Sequence, residues 1–456
     1  MKGTKQNIAQ ALAPIPELMR KEYILGGQTY QDVFDLASVI SSWTTNEHAK
    51  GKPLCLATTD KALLMAAVLA SLDGGPLLVL PASLADAVIA ETCKMTGAGA
   101  VLTDQSIALP RGIRSVPLGK KKNAAPVRSS RRTTDKPFLW LYTGGSTGAP
   151  KLWPKTPDNL IGEALNLKNV FGIHENDILV STVPPLHIYG LLFSVLLPFV
   201  SRASISGTIP YFPREIIRTV DRAKGTVFIG SPMHYRALAT SSFHMTRLNH
   251  AFSSGGFLEE SHSLHFTRAT DTGVIEVYGS TETGGIATRC RAEGKSEWQP
   301  FSCVRWTIDN DRLSVASPFL SPNLPVNKKG FFTTGDKASD TGKGTFMLHG
   351  RADGIVKIGG KRVDMSVIEQ KIKSLPSITD AWVLSLPSRS GREPDIAALV
   401  VTKKTLTYLR KAFARVLEPT HMPRRIVLVS AIPTTLSGKR DHQAALSVLN
   451  EQGNKA

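Results

Sequence analysis

The stretch LYTGGSTGAPK, residues 141–151, continues the apolar run PFLWLY and is the most informative part of the chain. Its glycines allow successive backbone N–H groups to point at phosphate oxygens, its hydroxyls add donors, and Lys151 adds a positive charge. Pro150 and Leu152 flank this lysine, so the pattern differs from the Walker P-loop. The stretch is either a nucleotide loop or a Gly/Ser-rich surface turn. The candidate phosphate-binding residues are Thr143, Gly144, Gly145, Ser146, Thr147, Gly148 and Lys151.

Further motifs follow along the chain: PPLHIYG (184–190), SSGGFL (253–258), VYGSTE (277–282), TTGD (333–336), GRADGIVKIGGKRV (350–363) and PTTLSGK (433–439). Together with residues 141–151 they resemble, in kind and order, the adenylate-forming superfamily of acyl-CoA synthetases, peptide-synthetase adenylation domains and luciferases. The usual family form of the first motif is YTSGSTGxPK. This resemblance implies that ATP and a carboxylic acid react to acyl-AMP, and that the acyl group then passes to a thiol. Roughly the first hundred residues lie outside it.

The chain alternates short apolar runs with helical segments, which predicts an α/β fold of parallel sheets with crossover helices. Predicted strands lie within 53–58, 76–81, 100–103, 138–142, 177–183, 226–230 and 273–279, and predicted helices within 61–72 and 83–95. With 456 residues, the chain exceeds the size of one hydrophobic core. We expect a large N-terminal domain, residues 1–352, that binds ATP and the acyl group. A small mobile α+β domain, residues 353–456, follows, and by resemblance Asp353 is the hinge.

The composition indicates a cytoplasmic enzyme that uses small molecules. The four cysteines, Cys55, Cys93, Cys290 and Cys303, have no C-x-x-C spacing, which argues against a zinc site or a disulfide framework. The N-terminus lacks the apolar segment of a signal peptide. The longest apolar run, residues 190–200, is too short to span a membrane and predicts a buried helix.

The formal net charge of +18 favours polyanionic partners, which include nucleic acid, anionic lipid, CoA and an acidic carrier protein. Basic residues cluster in segment 119–136, which has no aromatic residues on which bases could stack. We therefore favour a solvated loop over a nucleic-acid site at this segment.

Several motif residues gain roles from the family resemblance. Tyr278 and Gly279 would contact adenine, while Gly255 and Gly256 would permit close backbone approach. Thr281 and Glu282 would hold Mg²⁺ near the phosphates, because a carboxylate beside a phosphate requires a metal between them. The strand predicted for 273–279 puts both residues just beyond its end, where ligands bind in α/β sheets. Taken alone, these motifs would be a plain loop and a turn with a solvated glutamate.

The C-terminal motifs contribute the remaining nucleotide and catalytic residues. By resemblance, Asp336 binds the ribose hydroxyls, Arg351 contacts ribose or the α-phosphate, and Lys439 is the lysine of adenylate formation. Without the resemblance, Arg351 and Asp353 would be a surface ion pair of little energetic value. The thiol arm would pass Lys357, Gly359 and Gly360. The family usually has a hydroxyl residue in place of Gly144 and an arginine in place of His442, and here Arg440 stands beside Lys439.

By resemblance, His187 lies in the segment that gates the acyl pocket in fatty and aryl acid ligases, and Gly284 and Gly285 would leave room beside it. His187 has a second interpretation, a satisfied core histidine. Amino-acid-activating relatives have an aspartate in this neighbourhood, whereas residues 183–200 contain no acidic side chain. A fatty or aryl acid is therefore expected.

These motifs predict an AMP-forming acid–thiol ligase with ATP, Mg²⁺ and a small carboxylic acid as reactants. The thiol acceptor would be CoA or the phosphopantetheine of an acyl carrier protein, and the basic surface slightly favours the acidic carrier. Two alternatives stay open: a degenerate family member that binds nucleotide as a scaffold or sensor, and a basic nucleic-acid-binding protein. The second alternative explains the charge but not the motifs.

Overall fold

The computed structural model describes residues 8–44, 51–118, 135–143, 151–245, 248–351, 355–358, 361–386, 395–435, 438 and 440–452. The chain forms two compact units, Met1–Arg305 with Ala316–Pro325, and Trp306–Val315 with Val326–Ala456. The second unit thus includes strands that precede Asp353. Because Asp353 lies outside the described residues, the boundary at 352/353 stays a prediction. The basic segment 119–134 also lies outside them.

The first unit contains two sheets of mainly parallel strands. In chain order its strands are β1 Ile24–Leu25, β2 Leu54–Leu56, β3 Leu78–Leu80, β4 Ala100–Leu102, β5 Arg114–Ser115, β6 Leu139–Thr143, β7 Lys151–Lys155, β8 Ile178–Ser181, β9 Ser204–Ser206, β10 Val227–Gly230, β11 His250–Ser253, β12 Val274–Ser280, β13 Gly284–Cys290 and β14 Gln299–Pro300. One sheet has the order β5-β4-β2-β3-β6-β7, and the other has the order β1-β9-β8-β10-β11-β12-β13-β14. The antiparallel pairs in these sheets are β6–β7, β12–β13 and β13–β14, as far as the described residues show.

The helices of the first unit connect and cover these strands. They are α1 Tyr30–Thr44, α2 Lys61–Leu72, α3 Asp86–Thr96, α4 Pro157–Phe171, α5 Ile188–Leu191, α6 Leu197–Ser201, α7 Pro213–Ala223, α8 Pro232–Leu238 and α9 Glu260–Thr270. A π-helical turn, Leu192–Leu196, joins α5 to α6, so the predicted buried helix at 190–200 is confirmed. Every residue of α2 is buried.

The second unit is a smaller α+β assembly. Its strands are β15 Arg305–Asp309, β16 Arg312–Ala316, β17 Phe332–Asp340, β18 Phe346–Arg351, β19 Ile355–Ile358, β20 Lys361–Asp364, β21 Asp380–Leu386, β22 Asp395–Val401 and β23 Arg425–Leu428. Its helices are α10 Met365–Lys373, α11 Leu406–Val416 and α12 His442–Gln452. The apolar residues of these helices meet the β21-β22-β23 sheet in two buried clusters, which include Ile368, Phe413 and Leu449.

Alternating strands and helices, as the apolar runs predicted, make up the first unit, and the predicted fold class is confirmed. Consecutive Leu, Ile and Val residues form its central strands, because both faces of a parallel sheet are covered by helices. Within the described residues, no helix has both the length and the apolar composition needed to cross a bilayer.

Candidate active site

The candidate phosphate loop joins the two strands of a hairpin. Strand β6 pairs antiparallel with β7, and Thr143 lies directly opposite Lys151. The loop residues Gly144, Gly145, Ser146, Thr147 and Gly148 lie outside the described residues, as does the side chain of Thr143. Lys151 is exposed at the start of β7. The hairpin therefore brings both ends of the candidate loop together, as a phosphate-wrapping turn requires.

The predicted metal residues lie in a tight turn between β12 and β13. Strand β12 ends at Ser280, so the predicted position of Thr281 and Glu282 beyond a strand end is confirmed. A Cβ on Gly279 would lie 2.3 Å from the carbonyl oxygen of Gly284, so only glycine allows the strands to approach this closely. The hydroxyl oxygens of Ser280 and Thr283 lie 3.0 Å apart and close the turn.

The donor chemistry of this turn fits Mg²⁺. Thr281 supplies a hydroxyl oxygen and Glu282 a carboxylate, which are the hard oxygen ligands that Mg²⁺ prefers. Among the described residues, no three His, Cys, Asp or Glu side chains converge on a common point that could hold a metal. A bound Mg²⁺ would therefore take most of its ligands from phosphate groups and water, as is usual for ATP-dependent enzymes.

The loop after β11 lies beside this turn. Strands β11 and β12 are parallel neighbours, and the hydroxyl of Ser254 donates to the carbonyl of Val277 over 2.8 Å. Gly255 has a φ of +88°, a conformation that favours glycine. A Cβ on Gly256 would meet Pro232 only at an ordinary contact distance of 3.6 Å. The two segments predicted to contact adenine are thus adjacent in the first unit.

A layered aromatic arrangement supports Tyr278. Its ring centroid lies 5.4 Å from that of Trp298, and the guanidinium of Arg289 lies 4.3 Å from the Trp298 centroid. Glu276 accepts hydrogen bonds at 2.9 and 2.8 Å from Arg289, and one at 2.9 Å from Arg291. Arg291 also donates to the carbonyl of Leu258, which ties the β11 loop to the same network. The sequence motifs did not indicate Trp298 or Glu276.

We expect Trp298→Leu to raise the KM for ATP by roughly 3- to 10-fold, because an aromatic pair contributes about 0.5–1.5 kcal/mol beyond its buried area. The physical reason is that Tyr278 would lose the ring that fixes its orientation. Initial rates over an ATP titration measure this effect. Trp43→Leu, on α1, is the matched control and should leave the KM unchanged. An equal KM change in both variants would contradict a role for the Trp298 ring.

The space beside Gly284 and Gly285 is filled, which corrects the expectation that these glycines leave room. A Cβ on Gly284 would lie 2.6 Å from Phe319 Cβ and 2.7 Å from a carboxylate oxygen of Glu163. A Cβ on Gly285 would lie 3.0 Å from the other oxygen of Glu163. The glycines therefore permit close packing against a buried carboxylate. Their place in an acyl pocket stays a prediction.

His187 lies just before α5 at the N-cap position, with its side chain partly exposed. Partial burial does not decide between the two interpretations of this residue, so an acyl-pocket residue and a satisfied core histidine both stay predictions. A Cβ on Gly190, which lies in α5, would be 1.9 Å from the carbonyl oxygen of Pro184. The PPLHIYG segment is thus packed tightly against its own preceding turn.

In the second unit, the predicted ribose residue Asp336 lies on β17 opposite Arg351 on β18. The side chains of Arg351 and Lys357 are not among the parts of the chain that the structure describes, and neither are Gly359 and Gly360. Lys337, which follows Asp336, forms an ion pair of 2.9 Å with Asp364 at the end of β20. This contact fixes β17 against the β19-β20 hairpin that carries the predicted thiol-arm segment.

Lys439 lies outside the described residues, but its neighbours form a closed turn. Thr434 and Arg440 form an antiparallel bridge, and the N–H of Asp441 donates to the carbonyl of Pro433. Both terminal nitrogens of Arg440 bond to the carboxylate of Glu369 at 2.9 and 2.7 Å. Arg440 is therefore an anchor for the turn. His442, at the family's arginine position, has its ring 6.0 Å from that of Trp382.

A family model described as AMP-binding enzyme matches residues 20–330, which corrects the expectation that roughly the first hundred residues lie outside the family. 4-Chlorobenzoate–CoA ligase from an Arthrobacter species is 26% identical over 356 residues, which cover 70% of this chain and 67% of that protein. Acetyl-coenzyme A synthetase from Bacillus subtilis is 23% identical over 350 residues, which cover 66% of this chain and 60% of that protein. The chain thus spans about two thirds or less of the length of these relatives.

Solved structures share the fold. ATP-bound MatB from Rhodopseudomonas palustris has a TM-score of 0.82 at 18% identity, over 97% of this chain and 98% of that one. The o-succinylbenzoate CoA synthetase MenE from Bacillus subtilis, in complex with its acyl-adenylate intermediate, has a TM-score of 0.80 at 18% identity. The match covers 96% of this chain and 97% of that one. At this identity the likeness is one of fold.

The fold and the arrangement of nucleotide motifs define an enzyme of the adenylate-forming ligase class. The chain belongs to the AMP-binding enzyme family, whose model matches more than half of it. The predicted family and the prediction of an enzyme are confirmed.

Proposed function

We propose that this chain activates a small carboxylic acid with ATP and transfers the acyl group to a thiol. In the first step a carboxylate oxygen attacks the α-phosphorus, and pyrophosphate leaves. In the second step a thiolate sulfur attacks the acyl carbon, and AMP leaves. The observation that carries the proposal is the adjacency of the β11 loop, Tyr278 and the Thr281–Glu282 turn in the first unit. The similarity to acid–CoA ligases supports it.

The proposed residue roles follow the chemistry of these steps. The loop between Thr143 and Lys151 would cradle the β- and γ-phosphates with backbone N–H groups. Thr281 and Glu282 would hold Mg²⁺, which would neutralise negative charge that develops on the phosphate oxygens. Asp336 would accept hydrogen bonds from the ribose hydroxyls, and Lys439 would stabilise the reacting carboxylate and α-phosphate.

The proposed substrate is a fatty or aryl acid. Residues 183–200 carry no acidic side chain that could pair with the ammonium group of an amino acid. The run from Gly190 to Ser201 is buried and almost entirely apolar, which suits an uncharged acyl group nearby. CoA and the phosphopantetheine of an acidic acyl carrier protein are the proposed acceptors, and the net charge of +18 would favour encounter with either polyanion.

Pyrophosphate exchange dependent on a carboxylic acid tests the first step. The purified protein is incubated with ATP, Mg²⁺, labelled pyrophosphate and one acid from a panel of aliphatic and aryl acids. We expect exchange with a subset of these acids. ATP binding without exchange for every acid would overturn the proposal in favour of a nucleotide-binding scaffold. Supplying the accepted acid as its adenylate, with CoA or with a phosphopantetheinylated carrier protein, then distinguishes the acceptors.

Glu282→Gln should raise the Mg²⁺ concentration for half-maximal exchange by at least about 10-fold. Even residues that only support the direct metal ligands change metal affinity or activity by about 10- to 100-fold. The reason is that a neutral amide is a poor ligand for a hard cation. A magnesium titration of exchange measures this effect, with the exposed Glu293→Gln as the matched control. A collapsed thermal midpoint with an unchanged magnesium titration would make Glu282 structural instead.

Asp353→Pro should spare adenylate formation and block thioester formation, because proline fixes φ near about −65° and a hinge must change its backbone angles between steps. Single-turnover assays of each half-reaction measure the difference. Asp353→Ala is the control, and both half-reactions should persist in it. If Asp353→Pro retains the parent rate of thioester turnover, Asp353 is not the hinge.

A further inference from the structure

Glu163 is a buried carboxylate for which the proposed chemistry gives no role. It lies on α4, and 3% of the residue is exposed. Helix α4 follows the phosphate hairpin directly, because Lys155 ends β7 and Thr156 is the N-cap of the helix. Thr156 and Asn159 form a reciprocal capping box, and Pro157 occupies the first turn. The start of α4 is therefore rigidly attached to the strand that leaves the phosphate loop.

The Glu163 carboxylate contacts the turn that carries Thr281 and Glu282, at its C-terminal end. Its Oε1 atom accepts a hydrogen bond of 2.7 Å from the N–H of Gly285. Its Oε2 atom has no hydrogen-bond partner among the described residues and lies against Gly284. Gly284 and Gly285 begin the strand that follows Thr281 and Glu282. Any displacement of Glu163 would therefore be transmitted to this turn through the backbone.

Lys155 provides the positive charge near Glu163. Lys155 is completely buried, and its Nζ atom donates to the carbonyl of Phe319 over 3.4 Å. Burial lowers the pKa of Lys155, and the charges of Glu163 and Glu282 oppose this effect. Burial raises the pKa of Glu163, and the Gly285 N–H and Lys155 oppose it. The lysine at the end of the phosphate hairpin thus interacts with both carboxylates.

A second connection joins α4 to the metal turn. The side-chain amide of Asn159 donates to the carbonyls of Pro318 and Leu320 at 2.9 and 3.0 Å. The N–H of Ser321 in turn donates to the carbonyl of Glu282 at 2.7 Å. Helix α4 therefore contacts the backbone after the predicted metal residues directly, at Gly285, and is connected to the carbonyl of Glu282 through segment 318–321.

We infer that Glu163 is a positioning residue that fixes the Thr281–Gly285 turn relative to the phosphate hairpin through Gly285, with Lys155 as its counter-charge. The inference rests on the proposed role of Thr281 and Glu282 as holders of Mg²⁺. A packing role alone would be served better by an apolar side chain, because a carboxylate loses its hydration when it is buried. The carboxylate instead supplies an acceptor for one backbone N–H of the turn.

The test compares Glu163→Ala with Glu163→Gln, which retains an acceptor for the Gly285 N–H. Leu167→Ala, a buried apolar position on the same helix, is the control for general loss of packing. Calorimetric titration of ATP into each variant at several Mg²⁺ concentrations gives the magnesium dependence of nucleotide binding without turnover. The magnesium midpoint of pyrophosphate exchange is measured in parallel.

We expect Glu163→Ala to raise the Mg²⁺ midpoint by about 10- to 100-fold, as loss of an outer contact of a metal site does. Glu163→Gln should restore a midpoint close to the parent value, and Leu167→Ala should lower stability without moving it. A parent-like midpoint in Glu163→Ala, or the same shift in Leu167→Ala, would overturn the inference. If Glu163→Ala does not fold, the double variant Glu163→Ala/Lys155→Met removes both charges and must show the same shift.

Failure of this inference can be separated from failure of the proposed function. A parent protein with no acid-dependent exchange refutes the activity. The calorimetric comparison still reports whether Glu163 controls the Mg²⁺ dependence of ATP binding.

Discussion

Lys439→Ala should slow adenylate formation by about 10²- to 10³-fold, the usual effect of removing one preorganised group that stabilises transition-state charge. Thioester formation from supplied acyl-AMP should continue near the parent rate, because Lys439 is proposed to stabilise the carboxylate and α-phosphate, which react with each other only in the first step. Rapid-quench measurement of each half-reaction tests the expectation.

Two features of the second unit sharpen this experiment. Arg440 is engaged by Glu369, so it is not available to replace the charge of its neighbour Lys439. Lys411→Ala, at an exposed position of α11, is the matched control and should leave both half-reactions unchanged. Equal losses of both half-reactions in Lys439→Ala would show that the lysine is structural or serves both steps.

Lys155→Met should destabilise the protein by about 1–2 kcal/mol near pH 8, because the buried Glu163 carboxyl loses a positive charge that opposes the effect of its burial, and one pKa unit corresponds to about 1.4 kcal/mol. The destabilisation arises from Glu163, which keeps its burial but loses its counter-charge. Chemical unfolding of parent and variant measures the difference in free energy.

The raised pKa of Glu163 determines how the stability loss in Lys155→Met changes with pH. Burial already raises its pKa to about 7 in the presence of Lys155, and loss of the lysine raises it further. A carboxyl group whose folded pKa exceeds its unfolded value of about 4.3 contributes stability below that value, and this contribution is lost as pH rises through the folded pKa.

The stability gap between parent and Lys155→Met should therefore be small near pH 5 and larger near pH 8. The stability gap between Glu163→Gln and Lys155→Met/Glu163→Gln should lack this increase from pH 5 to pH 8, since neither variant has a carboxyl group at position 163 to titrate. A gap that is independent of pH in the single variant would mean that Glu163 does not ionise beside Lys155.

The regular elements were predictable because local apolar patterns decide them. Helix α2 spans Lys61–Leu72, the same residues as the predicted helix, and each predicted strand overlaps an observed one. Such runs of apolar residues are specified by burial alone, without knowledge of their partners. The turn after β12 was predictable for a similar reason, since the run of apolar residues ends just before Thr281 and Glu282.

The supports of the site were not predictable from the sequence. Lys155 and Glu163 are residue types that are usually exposed, and only the packing of α4 against distant segments buries them. Trp298 lies far from Tyr278 along the chain, and their contact depends on the β12-β13-β14 arrangement. Likewise, Cys55 and Cys93, far apart in sequence, belong to one buried cluster inside the first unit. Tertiary contacts of this kind leave no local pattern.

Helix α4 has a practical consequence for recombining this chain with its relatives. The helix bonds to Gly285 through Glu163 and to the 318–320 backbone through Asn159. A crossover point between residues 171 and 281 would separate the helix from both of these segments. Chimeras that exchange residues 151–171, 281–285 and 316–325 as one block preserve these contacts, so substrate range could be altered elsewhere without disturbing them.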